Sequence, residues 1–180
     1  MEPAYGYSLL ESDGISGHYE GSGVEQSIGG VAGAALGAGI MMPALAQARQ
    51  SAQRAVAASN LRQIGVSLMM YSADYNDVFP PNLEILAEKG YLDREMLESK
   101  RKPSGFDGPS FIYITGQSGS MSPQNVTVYE NPQFFCSGDQ FNVLYLDCHV
   151  QGMEKDEFLE ELKATYDRLG REMPEVKFRD

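Results

Sequence analysis

Positive charge is scarce in this sequence. Its 14 Lys and Arg face 25 Asp and Glu, which gives a formal net charge of −11 and an isoelectric point near 4.6. A nucleic-acid-binding protein needs a basic face for the phosphates, and anionic lipid headgroups attract basic segments for the same reason. We therefore expect no nucleic-acid partner. The hydrophobic content of 42% is ordinary for a globular protein with one moderate core.

Residues that bind metals or carry redox chemistry are also few. The chain has only two His. Its two cysteines, Cys136 and Cys148, fit no Cys-x-x-Cys or zinc-site spacing. It also lacks Trp. His18 lies in a segment unrelated to the other histidine, His149. From these residues the sequence predicts no cofactor and no catalytic site.

Residues 1–27 are the first of three predicted segments. Asp13-Gly14 lies between two short β-prone runs, which is typical of a β-hairpin. Because a lone hairpin is marginally stable in water, the segment is either the remnant of an upstream domain or a Gly/Ser-rich leader. Glu2 and Glu11 occupy the region where a secretory signal peptide would carry basic residues and an apolar run.

One long helix is predicted from Ile28 to Asp77. A Gly/Ala-rich apolar run passes into a polar, Ala-rich amphipathic pattern without a turn signal between them. Pro43 is the one interruption, and it is expected to kink the helix rather than end it. A helix of this length spans about 70 Å, more than one small domain covers. Membrane or filament neighbours are the expected packing partners.

The second predicted segment, residues 28–45, is a candidate membrane span. Gly29, Gly33 and Gly37 fall four residues apart, a spacing that lets two helix backbones approach closely. A flexible soluble segment is the alternative, because Gly forms helices poorly in water. The nearest cations, Arg49 and Arg54, follow the run.

The third predicted segment, residues 46–180, should hold the folded domain. Apolar residues recur in the helix at steps of three to five, close to the helical period: Leu45, Ala48, Ala52, Val56, Leu61, Ile64, Leu68, Tyr71 and Tyr75. Four β-prone runs follow: 111–115, 126–130, 143–146 and 149–153. We expect one core that packs helix residues on sheet residues: Leu61, Ile64, Leu68 and Tyr71 against Phe111, Tyr113, Val143 and Tyr145.

Shorter helices are predicted on either side of these strands. Asn82 is a suitable N-cap for a helix over 83–89, with Gly90 as its stop. Asp156 should cap a helix over 157–169 near the carboxy terminus. Phe134 and Phe135 are expected to anchor their loop to the core.

Several blocks resemble a known group of bacterial proteins. Met42 to Arg49 reads Met-Pro-Ala-Leu-Ala-Gln-Ala-Arg, Ser59 to Gly65 reads Ser-Asn-Leu-Arg-Gln-Ile-Gly, and Asn142 to Val150 reads Asn-Val-Leu-Tyr-Leu-Asp-Cys-His-Val. These blocks are similar to those of proteins with a prepilin-type amino-terminal helix, relatives of the type II secretion major pseudopilin. Smaller blocks between them match in order: Met70 to Asp74, Phe79-Pro80-Pro81, Pro103-Ser104, Phe111-Ile112-Tyr113 and Tyr129-Glu130.

The resemblance implies a pilin-like α+β fold, in which a long amino-terminal helix packs on a small antiparallel sheet with a short carboxy-terminal helix. It implies a non-enzymatic structural or accessory subunit of a type II secretion or pilus-type envelope system. Such a subunit would be a single-pass membrane-anchored protein with its sheet domain on the periplasmic or outer side. Its partners would be copies of itself or other pilin-like subunits, bound through the helix. The alternative is a periplasmic or surface binding module that does not polymerise.

This chain departs from the family pattern at defined places. No Gly followed by Phe/Met-Thr-Leu-x-Glu, the prepilin peptidase signature, precedes Ile28. Ala57 and Lys102 stand where many relatives carry cysteines, Ser137 stands where a His is common, and Cys148 replaces the turn glycine. The missing signature favours the binding module, whereas the intact helix blocks favour assembly.

The hairpin turn at Asp147 and Cys148 is the one place that suggests catalysis. A two-residue loop there would have a primed turn with positive φ at both residues, which Gly tolerates best. It would place Cys148 at an exposed tip, away from Cys136, so both thiols are expected to be free. His149 would begin the returning strand, so thiol and imidazole would diverge, and we predict that the chain is not an enzyme.

Calcium is the one ion for which the sequence offers candidates. Asp74, Asn76 and Asp77 form one oxygen-rich cluster, and Asp139 with Asp147 forms a second, suggested by the calcium loop of the type II secretion major pseudopilins. Neither has the spaced carboxylates and bidentate Glu of a calcium loop. Solvated or capping acids are the alternative interpretation.

Overall fold

The computed structural model describes residues 32–136 and 138–179, with side chains from residue 43 onward. The chain divides into two units, residues 1–40 and 41–180. The sheet and both hydrophobic cores belong to the second unit. The predicted hairpin around Asp13-Gly14 and the first helix-packing glycine, Gly29, lie outside the described residues.

The elements confirm an α+β protein. Helix α1 spans Ala32–Asp74 and continues through Pro43, and it is followed by helix α2 (Glu84–Glu88) and a 3₁₀ turn. Four strands and a last helix complete the order: β1 (Phe111–Tyr113), β2 (Val126–Glu130), β3 (Phe141–Tyr145), β4 (Val150–Met153) and α3 (Lys155–Arg168). Among the described residues, no helix has a stretch both long enough and apolar enough to cross a lipid bilayer.

The sheet is a simple antiparallel meander. Its strand order is β1-β2-β3-β4, so each strand pairs with its neighbour in sequence. Phe111 pairs with Glu130, Tyr129 with Val143, and Phe141 with Met153. Every residue of β2 and β3 is buried, because helices cover both faces of these central strands.

The two faces of the sheet hold separate cores, where one was predicted. Leu61, Ile64 and Leu68 of α1 pack on the first face, and the sheet contributes Phe111, Val128 and Leu144 to this cluster. Val143 and Tyr145, which we expected there, lie on the second face with Phe158 and Leu162 of α3. The prediction was wrong because adjacent strand residues point to opposite faces. Phe134 and Phe135 belong to the second core, so the predicted loop anchor is confirmed.

The predicted stop of α2 is confirmed, whereas the caps differ in detail. Gly90 has a φ of +78°, and the N–H groups of Gly90 and Tyr91 donate to Ala87 O and Leu86 O, a Schellman motif. Asn82 Oδ1 accepts from Ile85 N, although Leu83 occupies the cap position. The prediction for Asp156 was wrong: α3 begins at Lys155 with Glu154 at the cap position, two residues earlier than predicted, since β4 runs almost directly into it.

A buried ion pair joins β2 to the loop before β1. Glu130 Oε2 accepts from Arg101 Nη1 at 2.8 Å and from the backbone N and side-chain Nδ2 of Asn142 at 2.8 and 2.9 Å. Arg101 Nη2 donates to Gln140 O at 2.9 Å, and its guanidinium lies 4.1 Å from the Phe135 ring centroid. Burial raises the pKa of Glu130, while Arg101 and Asn142 oppose that shift by stabilising the carboxylate.

The same network reaches helix α1. Asn142 Nδ2 donates to Arg54 O at 3.1 Å, and Arg54 Nη1 donates to Gln140 Oε1 at 2.9 Å. A single buried carboxylate therefore links the long helix, β2, β3 and the loop that carries Arg101.

The β3–β4 connection has three loop residues, 146–148, where two were predicted. Tyr145 N donates to His149 O and Cys148 N donates to Tyr145 O, both at 3.0 Å. Cys148 has a φ of +68°, whereas Asp147 is not among the positive-φ residues. This is the three-residue hairpin that ends in a left-handed residue, so one position carries the conformational strain.

The Cys148 thiol is half-buried, and the predicted exposed tip was wrong. Its Sγ lies 3.2 Å from where a Cβ on Gly65 would sit, and Leu144 Cδ1 lies 3.1 Å from the same point. Burial, and then the charge of Asp147, raise the pKa of this thiol. Cys148 and the exposed Cys136 are both free.

Deletion of residues 1–42 should leave a cooperatively folded domain, because both cores lie within residues 57–178. Far-ultraviolet circular dichroism during a denaturant titration would show one sigmoidal transition. A truncated chain without helical signal would contradict this boundary.

Glu130→Ala should destabilise the domain by about 3–5 kcal/mol, because it leaves the Arg101 guanidinium buried without a counter-charge. Glu130→Gln keeps an oxygen acceptor for Asn142 and should lose less. Denaturant midpoints of both variants measure the difference, and a loss below about 1 kcal/mol in Glu130→Ala would show that the network contributes little.

Cys148→Gly should stabilise the domain by up to about 1 kcal/mol, since relief of the left-handed penalty exceeds the loss of a small buried group worth about 0.8 kcal/mol. Cys148→Ala is the matched control: it keeps the strained φ, loses the thiol contacts, and should be less stable than the parent. Thermal or denaturant midpoints test both variants. A less stable Cys148→Gly would mean that thiol packing outweighs strain.

Candidate functional site: an exposed face of helix α1

The part of α1 at residues 43–52, where the described side chains begin, lacks cover from its own domain. Residues 43–52 are all exposed, and seven of the sixteen residues in 43–58 are Ala. Most helical stability in proteins comes from tertiary packing of one face, and this portion has little of it. This portion would therefore gain stability from a neighbouring surface.

An apolar stripe runs along the exposed side of the helix. Leu45 is 63% exposed, Val56 41%, and Val66 and Met70 52% each. At about 100° per residue these four positions fall within roughly 80° of one another. Leu61 and Leu68, which are buried on the sheet, fall on the opposite side. We call these four residues the exposed stripe.

The exposed stripe corrects the predicted amphipathic pattern. The predicted pattern ran from Leu45 through Val56 to Leu61, because steps of three to five average near the helical period. The accumulated rotation from Val56 to Leu61 is about 140°, so the apolar positions divide into two faces. Val66 and Met70 were missed, and angular position rather than step size would have found them.

A groove borders the stripe where α1 meets the turn after α2. Its volume is about 470 Å³. One wall is α1 and the other is the segment from Gly90 to Asp93, and the lining includes both polar and apolar side chains: Ser59, Arg62, Gln63, Val66, Ser67 and Met70 from the helix.

Tyr91 holds the second wall against the helix. Ser67 Oγ donates to Tyr91 O at 2.9 Å, and the Tyr91 hydroxyl donates to Asp74 Oδ2. That hydrogen bond, with smaller contributions from burial and the Asp74 charge, raises the pKa of Tyr91 to about 12. The Tyr91 ring packs edge-on against the Tyr71 ring, with 5.7 Å between the ring centroids. The groove wall is thus fixed to both ends of the same helical stretch.

Two of the three helix-packing glycines lie in the described helix. Gly33 and Gly37 are within α1, which begins at Ala32. By helical spacing they remain about 40° apart.

The hairpin residues do not converge on a catalytic point. The Cys148 thiol faces Gly65, whereas the His149 ring stacks on the Tyr145 ring, with 4.2 Å between the ring centroids. Asp147 Oδ1 accepts from His149 N and contacts its Nδ1. Burial opposes a low pKa for Asp147, but these His149 hydrogen bonds hold it below its usual range. The thiol and the imidazole therefore have different neighbours.

The candidate calcium ligands are engaged in local hydrogen bonds. Asp74 accepts from Tyr91, Asp77 Oδ2 accepts from Ser120 N at 3.1 Å, and Asp139 Oδ2 accepts from Cys136 N at 3.0 Å. Asn76 and Asp77 have φ values of 53° and 64°, so they form the turn that ends the helix. Within residues 32–136 and 138–179, no group of three or more His, Cys, Asp or Glu is placed to hold a metal ion.

Comparisons with known proteins identify no relative. No protein-family model, no curated protein and no solved structure matches this chain. The candidate site is an exposed, Ala-rich helix with an apolar stripe and an adjoining groove.

Proposed function

We propose that this chain is a non-enzymatic, pseudopilin-like structural or accessory subunit of a type II secretion or pilus-type assembly in the bacterial cell envelope. Its helix α1 would bind copies of the chain or other pilin-like subunits. The sheet domain would be displayed on the periplasmic or outer side of a membrane-anchored assembly.

One observation carries the proposal: α1 continues as a helix through residues 43–52 although nothing of its own domain covers them. The exposed stripe adds apolar surface on the side away from the sheet. Small side chains along such a helix permit close packing of a second helix. Support also comes from the order of the sequence blocks that resemble the prepilin-type group.

The alternative is a binding module of the same envelope that does not polymerise. It differs from the assembly role in one measurable property, which is self-association through the helix. A module of this kind would remain monomeric at every protein concentration, with α1 covered by no second copy.

Gly33→Leu combined with Gly37→Leu should weaken self-association of the full chain in detergent, because two Leu side chains block close helix approach. Chemical cross-linking and sedimentation measure the oligomer fraction. Ala35→Leu is the matched control, since residue 35 lies about 200° around the helix from Gly33, and it should cross-link like the parent. Equal cross-linking in the double-Leu variant would remove the assembly role.

A further inference from the structure

The groove beside α1 is open at a place where the helix of a neighbour could lie. We infer that it receives residues 43–52 of α1 from a second copy of this chain, an inference that rests on the proposed function. The groove would then be the receptor and the uncovered helix portion its occupant, so that each copy offers both.

The shape of the groove fits a narrow helix. Val66 and Met70 form an apolar strip on one wall of the groove. On the other wall Gly90 has no side chain, and a Cβ placed there would meet no atom within 4 Å, so this wall leaves room for a second helix. Residues 43–52 contribute four Ala, whose short side chains allow close backbone approach. Long side chains at those positions would hold the backbone of the docked helix farther from the Gly90 wall.

Charge complements shape. Residues 28–73 contain three Arg and no acidic side chain, whereas residues 74–98 contain seven acidic and two basic side chains. Glu88, Asp93 and Glu95 of that acidic segment are exposed and take part in none of the ion pairs among the described residues. Opposite charge across an interface steers encounter and fixes register.

The charges also determine which way the occupant faces. Arg62 lies on the α1 wall of the groove and Asp93 on the opposite wall. A docked helix therefore avoids Arg62 and meets the acidic wall when its Arg49 points toward Asp93. The exposed Glu95 follows two residues later in the chain and adds to the same negative charge. Arg49 is exposed and has no hydrogen-bond partner among the described residues.

A charge-exchange experiment on the full chain tests this pairing. Arg49→Glu alone, and Asp93→Lys with Glu95→Lys, should each lower self-association about tenfold in detergent at low salt, because like charges replace opposite ones. A one-to-one mixture of the two variants should recover most of the parent's cross-linked oligomer, since each reversed helix then meets a reversed wall. Neither variant removes a cap, because Asp93 makes no side-chain cap bond.

Glu160→Lys is the matched control. It reverses an equally exposed acid on α3, which packs on the opposite face of the sheet, and it should assemble like the parent. Parent-like assembly of Arg49→Glu, or a mixture that does not recover, would overturn the inference. Loss of assembly in the Gly33→Leu, Gly37→Leu variant alone would overturn the groove pairing and leave the proposed function standing, whereas parent-like assembly in all variants would overturn both.

Discussion

The relative placement of helix, loop and central strands depends on the buried carboxylate of Glu130. It lies at the meeting point of β2, β3 and the loop that carries Arg101, and its partner Asn142 extends the network to the backbone of α1. A charge removed from water is stable only when its donors are in place. The network therefore constrains how the helix, the loop and the central strands fit together, while the apolar cores supply most of the stabilisation.

Local sequence patterns were sufficient for the elements but not for their faces. The strands, the Gly90 stop and the loop anchor at Phe134 and Phe135 were predictable because periodicity and turn chemistry act within a few residues. The second core was not predictable in the same way. Whether Val143 or Leu144 faces α1 depends on strand register, and register is decided by partners distant in sequence.

The candidate site shows the same division. The length of α1 and its Ala-rich composition are visible in the sequence, and they indicated that the helix needs a neighbour. The groove was not visible, because its second wall is brought to α1 by the Tyr91 contacts with Ser67 and Asp74. Glu130, at a strand end, and Arg101, in a loop, were missed for a related reason: charged side chains are usually exposed, and only their partners show that these two are buried.

Gly65 and Cys148 share one small volume between helix and hairpin. The glycine lies on helix α1, and its missing side chain leaves the space that the thiol fills. The two positions are therefore coupled by volume rather than by chemistry. A chain with a larger residue at 65 would need a glycine in the turn, and this chain, whose turn holds Cys148, needs the glycine on the helix.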